Sequence, residues 1–155
     1  MPSDAASPNA ALRRLLLDIN VWVALLDEAH VFHAQAVAFV ETDGLRIATC
    51  PLIENGVIRI LNLPAYSRFG PVGFEPVAAK LAEICDTLDH EFWADDISLL
   101  KPGVANWPRI LGHNQITDAY LLALATSRGG ALASFDHRIA PSAVHGATSG
   151  HLLLL

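Results

Sequence analysis

The stretch LLLDINVWV, Leu15 to Val23, decides the fold. Three leucines run straight into an acid, Asp18, followed by Ile19 and Asn20. A short apolar run closed by an aspartate lacks the spacing of an amphipathic helix. It reads as a buried strand whose last residue emerges at the carboxyl end of a sheet. In open α/β sheets, ligands bind in the crevice outside those strand ends. An aspartate placed there can hold a metal, accept a proton or cap the helix that follows.

Working outward, residues 20–27 read as a short helix with Asn20 as its N-cap. Residues 30–41 follow as a second helix, with Phe32, Ala36, Phe39 and Val40 at helical spacing. Thr42-Asp43-Gly44 stops it, and residues 45–48 form a second strand. Residues 49–61 are helical: Pro51 suits a first turn, where a missing N–H costs nothing, and Glu54 sits near the positive end of the helix dipole. A loop rich in Pro and Gly leads to a helix over 75–90, then a third strand over 91–94. After an irregular segment, ITDAYLLALA (116–125) is apolar nearly all round beyond Asp118, as a central buried helix must be. Gly129-Gly130 ends it, residues 131–134 form a strand, and His151 with the final leucines reads as the last one. Strands alternating with helices imply an α/β fold of three layers, a central parallel sheet flanked by helices.

Composition narrows the class. A chain of 155 residues, 52% hydrophobic, is expected to form one globular domain over residues 12–155, with 1–11 as a flexible tail. No apolar run reaches the roughly 20 residues that span a bilayer, and the first residues do not read as a secretory signal. Cys50 and Cys85 have no metal or redox spacing; both read as buried thiols in a reducing, cytoplasmic setting. Trp22, Phe32 and Trp93 read as packing residues, and Trp107 in its Pro-rich loop as a contact for a partner or RNA. The net charge of −6 argues against simple phosphate binding through Lys and Arg. It fits a set of acids that needs cations.

Four acids stand out by position. Asp18 and Asp136 each follow a predicted strand; Glu54 and Asp118 each lie in the first turn of an otherwise apolar helix. Strand ends and the starts of the helices after them share one edge of such a sheet, so the four can converge. Converging carboxylates repel one another, and a hard divalent cation offsets that repulsion. Such an ion lowers the pKa of a bound water and stabilises the leaving oxygen of a phosphodiester. Taken singly, each acid has a plainer reading as a cap, a dipole partner or a turn residue; the joint pattern carries the argument.

LLLDINVWVALL, CPLIENGVIRIL, ITDAYLLALA and LASFD, in this order, resemble the four signature blocks of PIN-domain ribonucleases, and the chain as a whole is similar to VapC-type toxins of bacterial toxin–antitoxin pairs. The resemblance implies a PIN-like parallel sheet flanked by helices, RNA cleavage dependent on Mg²⁺ or Mn²⁺, and inhibition by a cognate VapB-type antitoxin. It implies Asp18 and Asp118 as main metal ligands, with Glu54 and Asp136 completing a catalytic quartet, and Asn20, Thr117 and Ser134 as supporting polar positions. The apolar surplus points to a homodimer and a groove for an antitoxin helix.

Further expectations attach to single residues. Asp95 and Asp96 read as loop residues close to the site, and His113 as a surface histidine. Arg59, Arg68, Arg109 and Arg138 are candidate phosphate contacts. Two rivals use the same acidic pocket: a phosphoacceptor α/β domain acting through Asp18, and a non-catalytic module recruiting a basic partner. The first is weakened by Asp18-Ile19-Asn20, which lacks a second adjacent Asp.

Overall fold

In the computed structural model, which describes residues 13–67 and 70–155, the opening strand β1 (Leu15–Leu17) lies at the centre of a five-stranded sheet. Its neighbours are β2 (Arg46–Thr49) on one side and β4 (Ala131–Ser134) on the other. β3 (Asp89–Phe92) and β5 (Leu152–Leu154) form the two edges, giving the order β3-β2-β1-β4-β5. Every pairing is parallel, as the alternation of elements predicts. The expected tail over 1–11 and Arg68 lie outside the described residues.

Burial follows position in the sheet. Leu16 and Leu17 are fully buried, and β4 is buried along its whole length. The edge strand β3 instead exposes Asp89, Glu91 and Phe92. Charges on such an edge discourage pairing with another chain. Asp89 and Glu91 are also held by the Arg14 guanidinium, at 2.9 and 3.0 Å, which ties β3 to the start of β1.

Helices make the outer layers. α1 (Ile19–Leu26) packs against α2 (His33–Val40) and α3 (Pro51–Leu61), and α3 packs against α4 (Phe74–Thr87). α5 (Gln115–Ser127) packs on β1 and β4 and buries six of its residues, Ala119 and Leu121 to Ala125. Trp22 and Trp93 are buried, as expected of packing residues.

Most boundaries shift by one to three residues, α2 starting at His33 and α3 at Pro51, and two of the shifts bear on the site. α4 ends at Thr87 and β3 starts at Asp89, two residues before the predicted strand, because the register with β2 pairs Asp89 with Arg46. α1 begins at Ile19, and its N-cap is Asp18 rather than Asn20: the Asp18 carboxylate accepts the Ile19 N–H at 2.7 Å.

The chain leaves β1 for β2 and β3 on one side and returns to β4 and β5 on the other. The strand order therefore reverses between β1 and β4. A parallel sheet opens a crevice at such a point, outside the strand carboxyl ends. Asp18 leaves β1 there, and Asp136 lies two residues beyond β4.

Candidate active site

Ser134, the last residue of β4 and fully buried, organises the crevice. Its hydroxyl donates to Asp18 Oδ2 at 2.7 Å. It accepts from the Asn20 side-chain amide at 3.0 Å and from the Asp136 backbone N–H at 3.0 Å. One donor and two acceptor positions are the full capacity of a hydroxyl, so a single side chain fixes three of the expected site residues. Asn20 also accepts the Phe135 N–H at 3.2 Å, which locks the turn after β4 to the start of α1. These hydrogen bonds are what Asn20 and Ser134 contribute to the geometry of the crevice.

Asp18 is 6% exposed. Burial raises its pKa above the ordinary carboxylate value, the Ser134 and Ile19 hydrogen bonds oppose that rise, and the charge of Asp136 adds to it. With one oxygen on Ser134 and the other on the α1 N-terminus, this carboxylate is a poor phosphoacceptor. Asp118, in the first turn of α5, is pushed up to about 6 by burial first, then by Asp18 and Asp136. The three acids therefore sense one another. Thr117 is exposed and lines the same cleft, with Asp18, Asn20, His30, Asp118 and Asp136. The cleft holds about 310 Å³.

Asp136 differs from its two neighbours. The Arg138 guanidinium grips it in bidentate fashion, 2.9 Å from each nitrogen to its oxygen, and the Arg138 backbone N–H adds a third bond at 2.9 Å. Its pKa is lowered, Arg138 being the main cause. Asp118 and Asp136 also line a second hollow of about 430 Å³ with Leu111, Gln115 and Arg138. The two hollows share these acids, so the carboxylates stand in the middle of a groove.

Glu54 lies apart from the other three, and the expected convergence of four acids is found as a convergence of three. Its carboxylate accepts the Thr49 hydroxyl at 2.7 Å, and that hydroxyl meets His90 Nε2 at 2.7 Å. Glu54 lines a different hollow, with Thr49, Cys85 and His90, between α3, α4 and β3. The cause is the rotation of α3. A Cβ on Gly56 would stand 2.5 Å from Ile19 Cδ1, so Gly56 is the point at which α3 approaches the start of α1. Two residues are about 200° of helix rotation, which turns Glu54 to nearly the opposite side.

The remaining candidates divide similarly. Asp95 accepts the Leu52 N–H in the first turn of α3, and Asp96 pairs with Arg128 at 2.8 Å; both are structural ties. Cys50 is buried and its thiol is pushed up to about 12, chiefly by burial, while Cys85 is part-exposed. Trp107 is 49% exposed. Phe32 departs from its expected packing role: it is 41% exposed and its ring stacks on Phe135 beside the acids. No sequence signal separated it from its core neighbours, because Phe39 and Phe32 share the same helical spacing.

An all-oxygen set of one buried and two part-buried carboxylates suits a hard divalent cation. Asp18 and Asp118 carry raised pKa values, from burial first and then from neighbouring carboxylate charge, so a positive charge placed between them would favour their ionised forms. Among the described residues no three His, Cys, Asp or Glu side chains are grouped closely enough to hold a metal ion together. Asp18 and Asp118 thus make an open site, with Asp136 engaged by Arg138.

Comparison with known proteins agrees with this architecture. The family model of the PIN domain matches residues 15–143. The chain is 41% identical over 143 residues to Ribonuclease VapC44 of Mycobacterium tuberculosis, covering 92% of this chain and 99% of that protein. It is 38% identical over 122 residues to Ribonuclease VapC38 of the same species, covering 78% of this chain and 84% of the relative. A crystal structure of VapBC2 from Rickettsia felis, bound to a DNA fragment from its promoter, superposes with a TM-score of 0.48 at 14% identity over 79% of this chain and 88% of that one. By sequence, order of motifs and sheet topology, the chain belongs to the PIN domain family and, within it, to the VapC-type ribonucleases.

Proposed function

We propose that this protein is a metal-dependent endoribonuclease, the toxin of a VapBC-type toxin–antitoxin pair, that hydrolyses RNA phosphodiester bonds. The observation that carries the reading is the meeting of Asp18, Asp118 and Asp136 in one cleft at the β1–β4 switch point. Asp18 and Asp118 would hold Mg²⁺ or Mn²⁺, with Asp136 lining the same cleft. Bound there, the ion would neutralise the acids and supply an acidified water for in-line attack on phosphorus.

The chain's own residues have the following parts. Ser134 and the α1 N-terminus orient Asp18 and keep it from turning away. Asn20 holds the turn that carries Asp136. Asp118, pushed up to about 6, is mostly ionised at neutral pH and mostly protonated below pH 5, so binding of a cation weakens as pH falls. Arg138 is 86% exposed and bridges Asp136 to the outer part of the groove, where a backbone phosphate would pass. Glu54, hydrogen-bonded to Thr49 in the neighbouring hollow, would not be a first ligand.

A VapB-type antitoxin and a second copy of the chain are the expected partners. Exposed Phe74, Val72, Leu111, Trp107 and Ile116 supply apolar surface for such contacts. Among the described residues no helix is long and apolar enough to cross a membrane.

The test is digestion of a total RNA preparation with Mg²⁺, Mn²⁺ or EDTA, comparing the native chain with Asp118→Asn. Cleavage that requires the ion and is lost in the variant is expected. Cleavage indifferent to both would refute the metallonuclease reading.

A further inference from the structure

The groove has a wall that the acids do not explain. The ring of Phe32 stacks on that of Phe135, with centroids 4.7 Å apart and planes 13° from parallel. His30 extends the row, its ring centroid 5.9 Å from Phe32 and tilted by 41°. Three rings from two separate parts of the chain thus form one row, with Phe32 in the middle. The row starts in the acidic cleft and ends at the turn that carries Asp136: His30 lines the same cleft as Asp18 and Asp118, and the Phe135 backbone N–H donates to Asn20.

Two features separate this row from core packing. Phe32 is 41% exposed, at the start of α2 and without a side-chain role in capping it. His30 is also oriented rather than loose. The Phe32 backbone N–H donates to His30 Nδ1 at 3.1 Å, so Nδ1 acts as an acceptor and the uncharged imidazole carries its proton on Nε2. The ring therefore carries its one N–H donor at Nε2 and lines the cleft where a phosphodiester would sit.

We propose that His30, Phe32 and Phe135 form a stacking wall that receives an unpaired nucleobase next to the cleaved phosphate. The inference rests on the ribonuclease reading above. Aromatic faces bind any base that is free to leave its neighbours, and a base inside a duplex has no free face to offer. The acids repel the phosphates until a cation is bound, so an uncharged hold on the base is the contact this side of the groove can supply. Arg138 supplies the charged hold on the far side. A strand crossing the groove would be gripped by base on one side of the acids and by phosphate on the other.

The experiment uses the full-length chain, a 12-nucleotide single-stranded RNA carrying 5-iodouridine at successive positions, and bis(p-nitrophenyl) phosphate, a diester without a base. Irradiation followed by peptide mass spectrometry is expected to give adducts on His30, Phe32 or Phe135. Phe32→Leu keeps apolar bulk and loses the aromatic face; its KM for the RNA is expected to rise roughly tenfold, with kcat within about twofold. Phe32→Trp is expected to restore KM, and none of these variants should alter turnover of the base-free diester. Thermal melting of Phe32→Leu close to that of the native chain excludes a folding defect. Adducts confined to other segments, or an unchanged KM in Phe32→Leu, would overturn the stacking wall and leave the row as packing or a protein-partner surface. Native protein that cleaves neither substrate would instead remove the ribonuclease reading, while the adducts still report whether a base is held at the wall.

Discussion

The Ser134 hydroxyl and the Asp18 carboxylate meet at 2.7 Å although 116 residues separate them in the chain. Removing the hydroxyl leaves a buried charged oxygen without its donor. Ser134→Ala is therefore expected to destabilise the fold by about 1–3 kcal/mol. It also frees the Asn20 amide and the Asp136 N–H, so a double variant with Asn20→Ala should cost less than the two single losses added together. Chemical denaturation of the four proteins measures that coupling; strict additivity would show that Ser134 does not organise the cluster.

Asp118 gives the metal-free protein a pH dependence of unusual sign for a carboxylate. Its pKa is raised to about 6 when folded, from an ordinary value near 3.8. Between those values the folded state binds more protons than the unfolded one, so stability falls as pH rises from about 4 to about 6. Because the group is half exposed, solvent screening limits the loss to the order of 1 kcal/mol. In EDTA, Asp118→Asn should flatten this part of the stability curve. Adding Mn²⁺ should raise the melting temperature of the native chain at pH 7 more than at pH 5, and leave the variant unmoved. Equal Mn²⁺ effects in both proteins would place the ion elsewhere.

Glu54 is the residue on which motif and geometry part. Its position in the second signature block marks it as a metal ligand, yet its carboxylate lies on Thr49 in the hollow shared with His90. Glu54→Gln is expected to weaken Mn²⁺ binding by less than about threefold, because the amide can still accept from Thr49. Asp118→Asn should weaken it by tenfold or more. Isothermal titration at pH 7 separates the two cases; matching losses would mean that Glu54 swings to the ion when the site is loaded.

This contrast shows which parts of the molecule were legible beforehand. The alternation of short apolar runs with helical ones announces a parallel sheet, because β1 and β4 must be buried on both faces. Asp18 and Asp136 follow such runs directly, so their place at the rim is a matter of chain length alone. Asp118 is set by α5, whose apolar residues go nearly all round and force its first turn against the sheet. For Glu54 the chain position fixes the turn of α3 but not the rotation about its axis. That rotation depends on Gly56 meeting Ile19, a contact between distant segments. The Phe32–Phe135 stack was hidden for the same reason, as was the capture of Asp136 by Arg138, which is a rotamer choice.

Gly130 tests the packing behind the site. A Cβ there would stand 2.5 Å from the Arg14 carbonyl oxygen and 2.8 Å from the Trp93 ring. The first obstacle is backbone at the start of β1 and cannot swing aside. Gly130→Ala is expected to cost about 1–3 kcal/mol in overpacking. Gly56→Ala, by contrast, meets the flexible end of Ile19 and should cost less. Because Ile19 adjoins Asp18, Gly56→Ala should disturb Mn²⁺ affinity while Gly130→Ala does not. Melting curves and metal titrations of both variants check the dissociation of stability from binding.

Arg138 holds Asp136 and so competes with a cation for it. With the guanidinium gone, the Asp136 pKa returns upward from its lowered value, because the main cause of the lowering is removed. At pH 7 the carboxylate stays ionised in either case, so the effect on metal binding comes from the lost positive charge. Arg138→Gln is expected to bind Mn²⁺ more tightly, by a fewfold, since an exposed charge pair is worth at most about 1 kcal/mol. The same substitution removes a phosphate contact in the groove, so KM for RNA should rise and the dependence of log KM on log salt should become shallower. Opposite movements of metal affinity and RNA affinity in one variant would assign Arg138 to the nucleic acid; a parallel loss of both would make it a structural brace for Asp136.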